Sequence, residues 1–180
     1  TILNVDLYGT AVLLEEFGKV IEADGSGIII SSSPVIAWSL PQEETDQLAM
    51  TPTEELLDLP FLKAINDTLK AYQYSKRCNV LRVMAEANNW GKRARRSIPS
   101  ARASSLRPWP MTNSMVPEED TVRCCPSVRP VVPVHPMKRD LAEFLMSHKG
   151  RFISGSDILI DGGTTASYWF GDLQYLKQTH

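Results

Sequence analysis

A chain of 180 residues with 43% hydrophobic and 22% charged residues has the composition of one globular domain, which excludes a disordered or fibrous protein. The net charge of −2 gives no overall attraction to nucleic acid or to anionic membranes. The cysteines Cys78, Cys124 and Cys125 are odd in number and form no CxxC pair, which argues against a disulfide framework or a zinc site. No apolar run reaches the ~18 residues of a membrane span, and no leader pattern is present, so we expect a soluble, cytoplasmic protein.

The first part of the chain predicts a helix followed by a buried strand. Over residues 2–23, apolar side chains recur at helical spacing and charged side chains fill the positions between them. Turn residues at positions 24–27 separate this helix from the run Ile28-Ile29-Ile30-Ser31-Ser32. Such a β-branched run is typical of a strand buried on both faces of a parallel sheet. Helix, turn and buried strand make half of a βαβ unit, so the predicted fold class is α/β.

The middle of the chain predicts two short helices and one long helix. Helix-start patterns stand at residues 41–44 and 51–55. A long amphipathic helix is predicted for about residues 65–89 and is closed by Trp90-Gly91. Its predicted apolar face consists of Leu69, Tyr72, Cys78, Leu81, Val83, Met84 and Ala87.

The character of the sequence changes at Lys92. Residues 92–136 are rich in Pro, Ser and Arg and have no period of 2 or 3.6, so this stretch is predicted to be irregular. A short helix is predicted at residues 140–146 and a second buried strand at residues 157–160, stopped by Asp161-Gly162-Gly163. The aromatic residues of the tail predict that it packs on the domain or on a second subunit; they are Tyr168, Trp169, Phe170 and Tyr175.

Tyr72 and Lys76 stand four residues apart in the long helix, so their side chains share one face. A free tyrosine titrates near pH ~10, and an adjacent positive charge lowers such a pKa. Tyr72 would then serve as a general acid or base tuned by Lys76. On spacing alone, a solvated lysine beside a half-buried tyrosine fits equally well. Tyr74 is only two residues from Lys76 and points elsewhere on a helix.

Three further features accompany this pair in a fixed order. Asn4 lies in the first helix, Ser31, Ser32 and Ser33 end the first strand, and Asp161-Gly162-Gly163 end the last strand. The order of these features is an Asn in a helix, a strand that ends in Ser, a Tyr-x-x-x-Lys helix and a strand that ends in Asp-Gly-Gly. In this order the chain resembles the short-chain dehydrogenase/reductase family over residues 2–91 and 138–171. The long interval from Ser to Tyr resembles the bacterial 3α-hydroxysteroid dehydrogenase/carbonyl reductase subgroup, which carries an insertion there.

The resemblance implies an incomplete Rossmann-like parallel sheet with flanking helices in a single partial domain over residues 1–180. It also implies an oxidoreductase that transfers hydride between NAD or NADP and a secondary alcohol or ketone, steroid-like or otherwise. Tyr72 would exchange a proton with the substrate oxygen, and Lys76 would tune Tyr72 and help it hold the nicotinamide ribose. Ser32 would hydrogen-bond the carbonyl, and Asn4 would hold a water of the proton relay. The two long helices would pair with a second copy, in a homodimer or homotetramer.

Two departures from the family qualify this expectation. The chain begins at the Asn-bearing helix and contains no GxxxGxG, the turn that cradles the cofactor pyrophosphate. We therefore expect an N-terminally truncated member with weak or absent cofactor binding. The family's strand ending in Pro-Gly is also missing after Gly91.

A shift of reading frame accounts for the second departure. One coding of residues 97–105, shifted by one base, reads Ile-Asn-Ser-Ile-Ser-Pro-Gly-Ile-Ile, which supplies the missing strand and its Pro-Gly. The same shift over residues 34–39 yields Gly-His-Arg-Leu-Glu, close to what the family places after its serine. We therefore predict that residues 34–39 and roughly 92–136 are out-of-frame translations.

Several other interpretations of the same residues stay open. Locally, Asn4 fits an exposed helix-start residue, and Ser31, Ser32 and Ser33 fit an ordinary strand-end turn. The basic run at residues 92–96 fits a nucleic-acid patch but is more typical of a solvated helix end, so no nucleic-acid partner is predicted. His135 and His148 lack partners at metal spacing, so no metal site is predicted. The alternative function is a catalytically inactive remnant or a dimerising scaffold without cofactor binding.

Overall fold

The computed structural model describes residues 1–22, 25–32, 40–92, 100–103, 134–160, 164–172 and 174. The N-terminal elements are a π-helix at Leu3–Tyr8, α1 at Gly9–Val20 and β1 at Ile30–Ser31. They are followed by α2 at Gln42–Met50, a 3₁₀-helix at Thr53–Asp58, α3 at Pro60–Lys63 and α4 at Thr68–Lys92. The remaining elements are β2 at Ser100–Ala103, α5 at Val134–Met146, a 3₁₀-helix at His148–Gly150, β3 at Asp157–Ile160 and α6 at Thr164–Phe170.

The first predicted helix is present, but it is built from two kinds of turn. The π-helix runs directly into α1, and apolar residues of both segments are buried, among them Leu7, Ala11 and Leu14. The predicted apolar face is wrong at its C-terminal end, where Phe17 and Val20 are exposed. The buried residues Leu7, Ala11, Leu14 and Gly18 form one stripe at spacings of three and four residues, and Phe17 and Val20 lie outside this stripe at about 100° of turn per residue.

Helix α4 is the centre of the helical part of the molecule. The π-helix, α1 and α2 all pack against it. The core residues share one stripe of α4 and the facing sides of the preceding helices; they are Leu7, Ala11, Leu48, Leu56, Leu62, Tyr74, Cys78 and Leu81. The predicted face of this helix is wrong at Leu69 and Met84, which are exposed. The packing of α2 selects a stripe through Tyr74 and Cys78, and Leu69 and Met84 lie outside that stripe at about 100° of turn per residue.

The two short helices predicted between the first strand and the long helix are present as α2 and the 3₁₀-helix at Thr53–Asp58, and α3, which was not predicted, follows them. The acidic first turn of α2, with Glu43 and Glu44, suits the positive end of a helix dipole. The apolar residues Leu48, Leu56 and Leu62 of this segment are fully buried. This segment therefore covers the side of α4 that holds Tyr74 and Cys78.

The three described strands pair in parallel in the order β1-β2-β3. Ile30 lies opposite Ala101, and Ala101 lies opposite Ile158. The prediction that the first strand is buried on both faces is wrong at Ile30, which is 66% exposed, because β1 is at the edge of the described sheet. The described part of the chain is mostly helical, and its three short strands do not by themselves make a Rossmann fold.

The prediction that residues 92–136 are irregular is wrong at two places. Ser100–Ala103 form β2, which is the central strand of the described sheet. A short parallel strand is held by backbone hydrogen bonds, which four residues without proline make without any side-chain period. Helix α5 begins at Val134, so Pro136 lies in its first turn, where a missing N–H is tolerated. Residues 93–99 and 104–133 lie outside the described residues, as do residues 34–39 and 161–163.

The C-terminal part returns to α4 through a sharp turn at Gly155. This residue has φ of +61°, and a Cβ placed on it would lie 2.8 Å from the Cβ of Ala87. Helix α6 carries Tyr168 and Trp169, whose rings meet edge to face with centroids 5.3 Å apart. Phe170 is 85% exposed, so it does not pack on the described part of the domain, and Tyr175 lies outside the described residues. Among the described helices, none combines the length and the apolar content needed to cross a membrane.

Candidate functional site

Asn4, which the sequence predicts as a site residue, lies on the π-helix, and so does Asp6. The backbone N–H of Gly9 donates to the carbonyl oxygen of Asn4, five residues earlier, and this bond closes the wide π turn. The hydroxyl of Thr10 donates to the carbonyl oxygen of Asp6 at 3.0 Å. The side chain of Asn4 is exposed. Because π turns are rare and often occur at functional sites, this segment is a candidate part of a site.

Tyr72 and Lys76 come together as the spacing predicts. Both lie on one face of α4, and Nζ of Lys76 is 5.4 Å from the centroid of the Tyr72 ring. The two side chains are half-buried rather than fully solvated. A cation at this distance from an aromatic ring is attracted by the negative face of the ring.

Asp6 also reaches Lys76, a contact that the sequence interpretation missed. One carboxylate oxygen of Asp6 is 3.1 Å from Nζ of Lys76, and the side chains are 33% and 16% exposed, respectively. The two residues are 70 positions apart, so helical spacing cannot relate them. The carboxylate next to the apolar Leu7 signals an acid that needs a partner when half-buried, but the sequence does not signal which residue is that partner.

The serines at the end of β1 have different surroundings. The hydroxyl of Ser31 donates to the backbone carbonyl of Lys76 at 2.8 Å, and Ser31 is buried. This bond ties the strand end to α4 at the residue that carries the candidate ammonium group. Ser32 is half-buried directly after the strand, and Ser33 lies outside the described residues. Ser31 therefore contacts α4, and Ser32 is the first residue after β1.

Tyr74 occupies a structural position on another side of α4. Its hydroxyl donates a 2.7 Å hydrogen bond to a carboxylate oxygen of Glu44 on α2. Its ring lies 5.7 Å from that of Phe61, measured between centroids. Burial, and then the bond to the Glu44 carboxylate, raise the pKa of Tyr74 above its usual value of 10.0. Tyr74 is therefore held in its neutral form and is unsuited to exchange a proton near neutral pH.

Other chemistry-bearing residues form no second site in the described part of the chain. The thiol of Cys78 is buried and free, and burial raises its pKa from 9.0 to about 12. A thiol of this kind is inert as a nucleophile because the thiolate is the reactive form. The described residues contain no group of three His, Cys, Asp or Glu side chains able to hold a metal ion. Cys124 and Cys125 lie outside the described residues, as does the basic run after Lys92.

A comparison of the sequence with known proteins finds a relative of this chain. No family model matches the chain. The chain is 32% identical over 177 residues to short-chain dehydrogenase/reductase bsc3 of Alternaria brassicicola, an alignment that covers 92% of this chain and 62% of that protein. The chain therefore spans about three fifths of the length of the relative that it matches. The similarity to a protein named as a short-chain dehydrogenase/reductase thus extends over nearly all of this chain.

Proposed function

We propose that Tyr72 and Lys76 form the acid–base pair of a nicotinamide-dependent alcohol dehydrogenase or ketone reductase. The observation that carries this proposal is the 5.4 Å approach of the Lys76 ammonium to the Tyr72 ring. The binding of Tyr74 to Glu44 supports it further, because this bond leaves Tyr72 as the better placed of the two phenols on α4. The similarity to a short-chain dehydrogenase/reductase supports the class of reaction.

In the direction of reduction, Tyr72 would give its proton to the carbonyl oxygen of a ketone. The bound cofactor would supply the hydride to the carbonyl carbon. Lys76 would hold the cofactor ribose together with Tyr72, and its charge would favour the phenolate that remains after proton transfer. The substrate class that we propose is a secondary alcohol or ketone, steroid-like or another carbonyl compound. Either NAD or NADP suits this chemistry.

The remaining site roles concern residues that flank this pair. Ser32 would donate a hydrogen bond to the substrate oxygen, and its neighbour Ser31 is already tied to α4 at Lys76. Asn4 would hold a water that links the site to solvent, in keeping with its exposed position on the π-helix. The hydroxyl of Tyr72 and the ammonium of Lys76 fit the hydroxyl groups of a ribose as hydrogen-bonding partners. The described residues thus suit the nicotinamide end of the cofactor.

The test is an assay of ketone reduction with matched tyrosine variants. Because the sequence contains no GxxxGxG, NADH or NADPH is supplied at millimolar concentration. We expect Tyr72→Phe to lower the rate by about 10²-fold or more, which is the usual contribution of a positioned general acid. Tyr74→Phe, which removes the same hydroxyl group two residues away, keeps the rate. Equal rates for the wild type and Tyr72→Phe contradict the proposed role.

A dimerising scaffold without cofactor binding is the second candidate function. It is favoured by exposed apolar side chains on α1 and α4, which are Leu13, Phe17, Val20, Leu69 and Met84. Leu13, Phe17 and Val20 follow helical spacing and form one apolar stripe. The same surfaces would pair subunits in a homodimer or homotetramer of an active enzyme. A thermal shift with millimolar NADH or NADPH separates the two functions, because the scaffold shows no increase in Tm.

A further inference from the structure

The carboxylate of Asp6 on the π-helix contacts the ammonium of Lys76 on α4. Nζ of Lys76 is 3.1 Å from Oδ1 of Asp6 and 5.4 Å from the centroid of the Tyr72 ring. The ammonium thus joins the π-helix to the phenol. We propose that Asp6 is a positioning residue of this site: it holds the Lys76 ammonium beside Tyr72. This inference rests on the proposed role of Tyr72 and Lys76.

The degree of burial distinguishes this ion pair from an ordinary surface pair. The Asp6 and Lys76 side chains are 33% and 16% exposed, whereas the pair formed by Asp58 and Lys63 is 72% and 60% exposed. Partial burial weakens screening by solvent and salt, so the charge of Asp6 acts more strongly on its neighbours. The Asp58–Lys63 pair has the same chemistry and serves as a control far from the site.

The position of the Asp6 carboxylate is fixed by the backbone that carries it. The hydroxyl of Thr10 bonds to the carbonyl oxygen of Asp6, and the π-helix packs against α4. The backbone of Lys76 is held in turn by the hydroxyl of Ser31. A lysine side chain has four rotatable carbons and loses conformational entropy when ordered. Two fixed backbones and one ion pair together restrict the ammonium to the side of α4 that carries Tyr72.

The other charged groups near α4 are engaged elsewhere or lie further along the helix. Glu44 of α2 accepts the hydrogen bond of Tyr74. Arg82 of α4 donates hydrogen bonds to the backbone carbonyls of Ala49 and Thr51. Glu15 of α1 interacts with Thr53 and Lys19. Arg77 follows Lys76 directly and is half-buried. Asp6 therefore supplies the negative charge that the structure places against the Lys76 ammonium.

The test is an alkaline absorbance titration of the Tyr72 phenol, which needs neither cofactor nor substrate. The signal of Tyr72 is the difference between a protein and the same protein carrying Tyr72→Phe. In Asp6→Asn we expect the midpoint to move to higher pH, part of the way to that of Lys76→Met, because the ammonium is no longer held beside the phenol. Asp58→Asn leaves the midpoint where it is in the wild type. A midpoint in folded Asp6→Asn that is unchanged or lower overturns the proposal, because loss of the Asp6 charge without release of the ammonium would lower it.

Two further variants keep the test decisive if Asp6→Asn does not fold. Lys76→Met removes the positive charge and moves the Tyr72 midpoint to higher pH; an unchanged midpoint overturns the proposal. Asp6→Glu keeps the charge on a longer side chain and retains the wild-type midpoint within about 0.2 units, whereas a shift as large as that of Lys76→Met overturns it. The titration stays informative in a protein that reduces no ketone. A failure of the proposed function and a failure of this inference are therefore distinguishable.

Discussion

The guanidinium group of Arg82 donates a hydrogen bond from Nη2 to Oγ1 of Thr53, and the two atoms are 2.7 Å apart. From Nη1 it also donates to the backbone carbonyls of Ala49 and Thr51. These carbonyls lie at the C-terminal end of α2, where the last four C=O groups have no partner within the helix. One buried cation on α4 thus caps α2 and fixes the start of the 3₁₀-helix that follows.

We expect Arg82→Met to lower the free energy of unfolding by about 2–3 kcal/mol. The variant keeps much of the apolar volume but leaves buried carbonyl groups without their donor. Urea denaturation measures the change. Arg139→Met provides the control, because Arg139 is exposed and its removal is expected to change stability by about 0.5 kcal/mol at most. Equal stability losses in both variants contradict the capping role of Arg82.

Alkaline pH should destabilise the protein through Cys78. Burial raises the pKa of this thiol from 9.0 to about 12, so the folded state retains a proton that the unfolded state loses above pH 9. The contribution of the thiol to stability is complete below pH 9 and is lost as the pH rises toward 12. The free energy of unfolding falls in that window by up to about 1.4 kcal/mol per pH unit.

Cys78→Val isolates this effect because valine has a similar volume and does not titrate. Urea denaturation at about pH 8 to about pH 11 should show a shallower loss of stability in the variant than in the wild type. The slope does not vanish, since the pKa of Tyr74 is also raised and acts in the same direction. Parallel curves for the two proteins are the result that contradicts the prediction.

Two helical glycines should respond to alanine in opposite ways. A Cβ on Gly18 of α1 would lie 2.6 Å from Nε1 of the buried Trp90, so Gly18→Ala forces the indole or the helix to move. We expect a loss of about 1–3 kcal/mol, read as a lower Tm. Gly91 of α4 has no atom within 4 Å of such a Cβ, and Gly91→Ala should stabilise the helix by up to about 1 kcal/mol. A lower Tm for Gly91→Ala contradicts this assignment.

The nucleotide sequence tests the predicted frameshifts directly. A shift of one base should leave the frame open over residues 34–39 and 92–136, and should encode Ser-Pro-Gly at the end of the segment that contains β2. Stop codons in that frame refute the prediction, as does a translated sequence that does not resemble the short-chain dehydrogenase/reductase family.

The helical part of the molecule was largely predictable from local pattern. The periodicity that predicts the long helix also places Tyr72 and Lys76 on one face, since i and i+4 residues are neighbours on any α-helix. The parallel arrangement of the first and last strands followed from short β-branched runs flanked by helices. The start of α5 was missed because proline argued against a helix, although a first turn accepts it.

Contacts between distant segments were not predictable from one sequence. The pairing of Asp6 with Lys76, and of Tyr74 with Glu44, depends on how α4 packs against its neighbours. Periodicity gives the buried stripe of one helix but not which residue of another helix meets it. The central strand β2 was not predicted, because its pairing uses backbone groups that are present in every sequence. The role of Asn4 and Ser32 stays a prediction.

The turn at Gly155 has a consequence for the order in which the chain assembles. Gly155 packs against Ala87 of α4, while the N-terminal end of the chain reaches α4 through Asp6 and Lys76. During synthesis, the π-helix and α1 leave the ribosome well before α4, and β3 leaves well after it. The apolar side chains of the π-helix and α1 therefore stay exposed to solvent until α4 has been synthesised. The surface of α4 around Ala87 stays exposed until Gly155 has been synthesised. Contacts of such sequence separation slow folding, because long stretches of chain must close into loops before these contacts form.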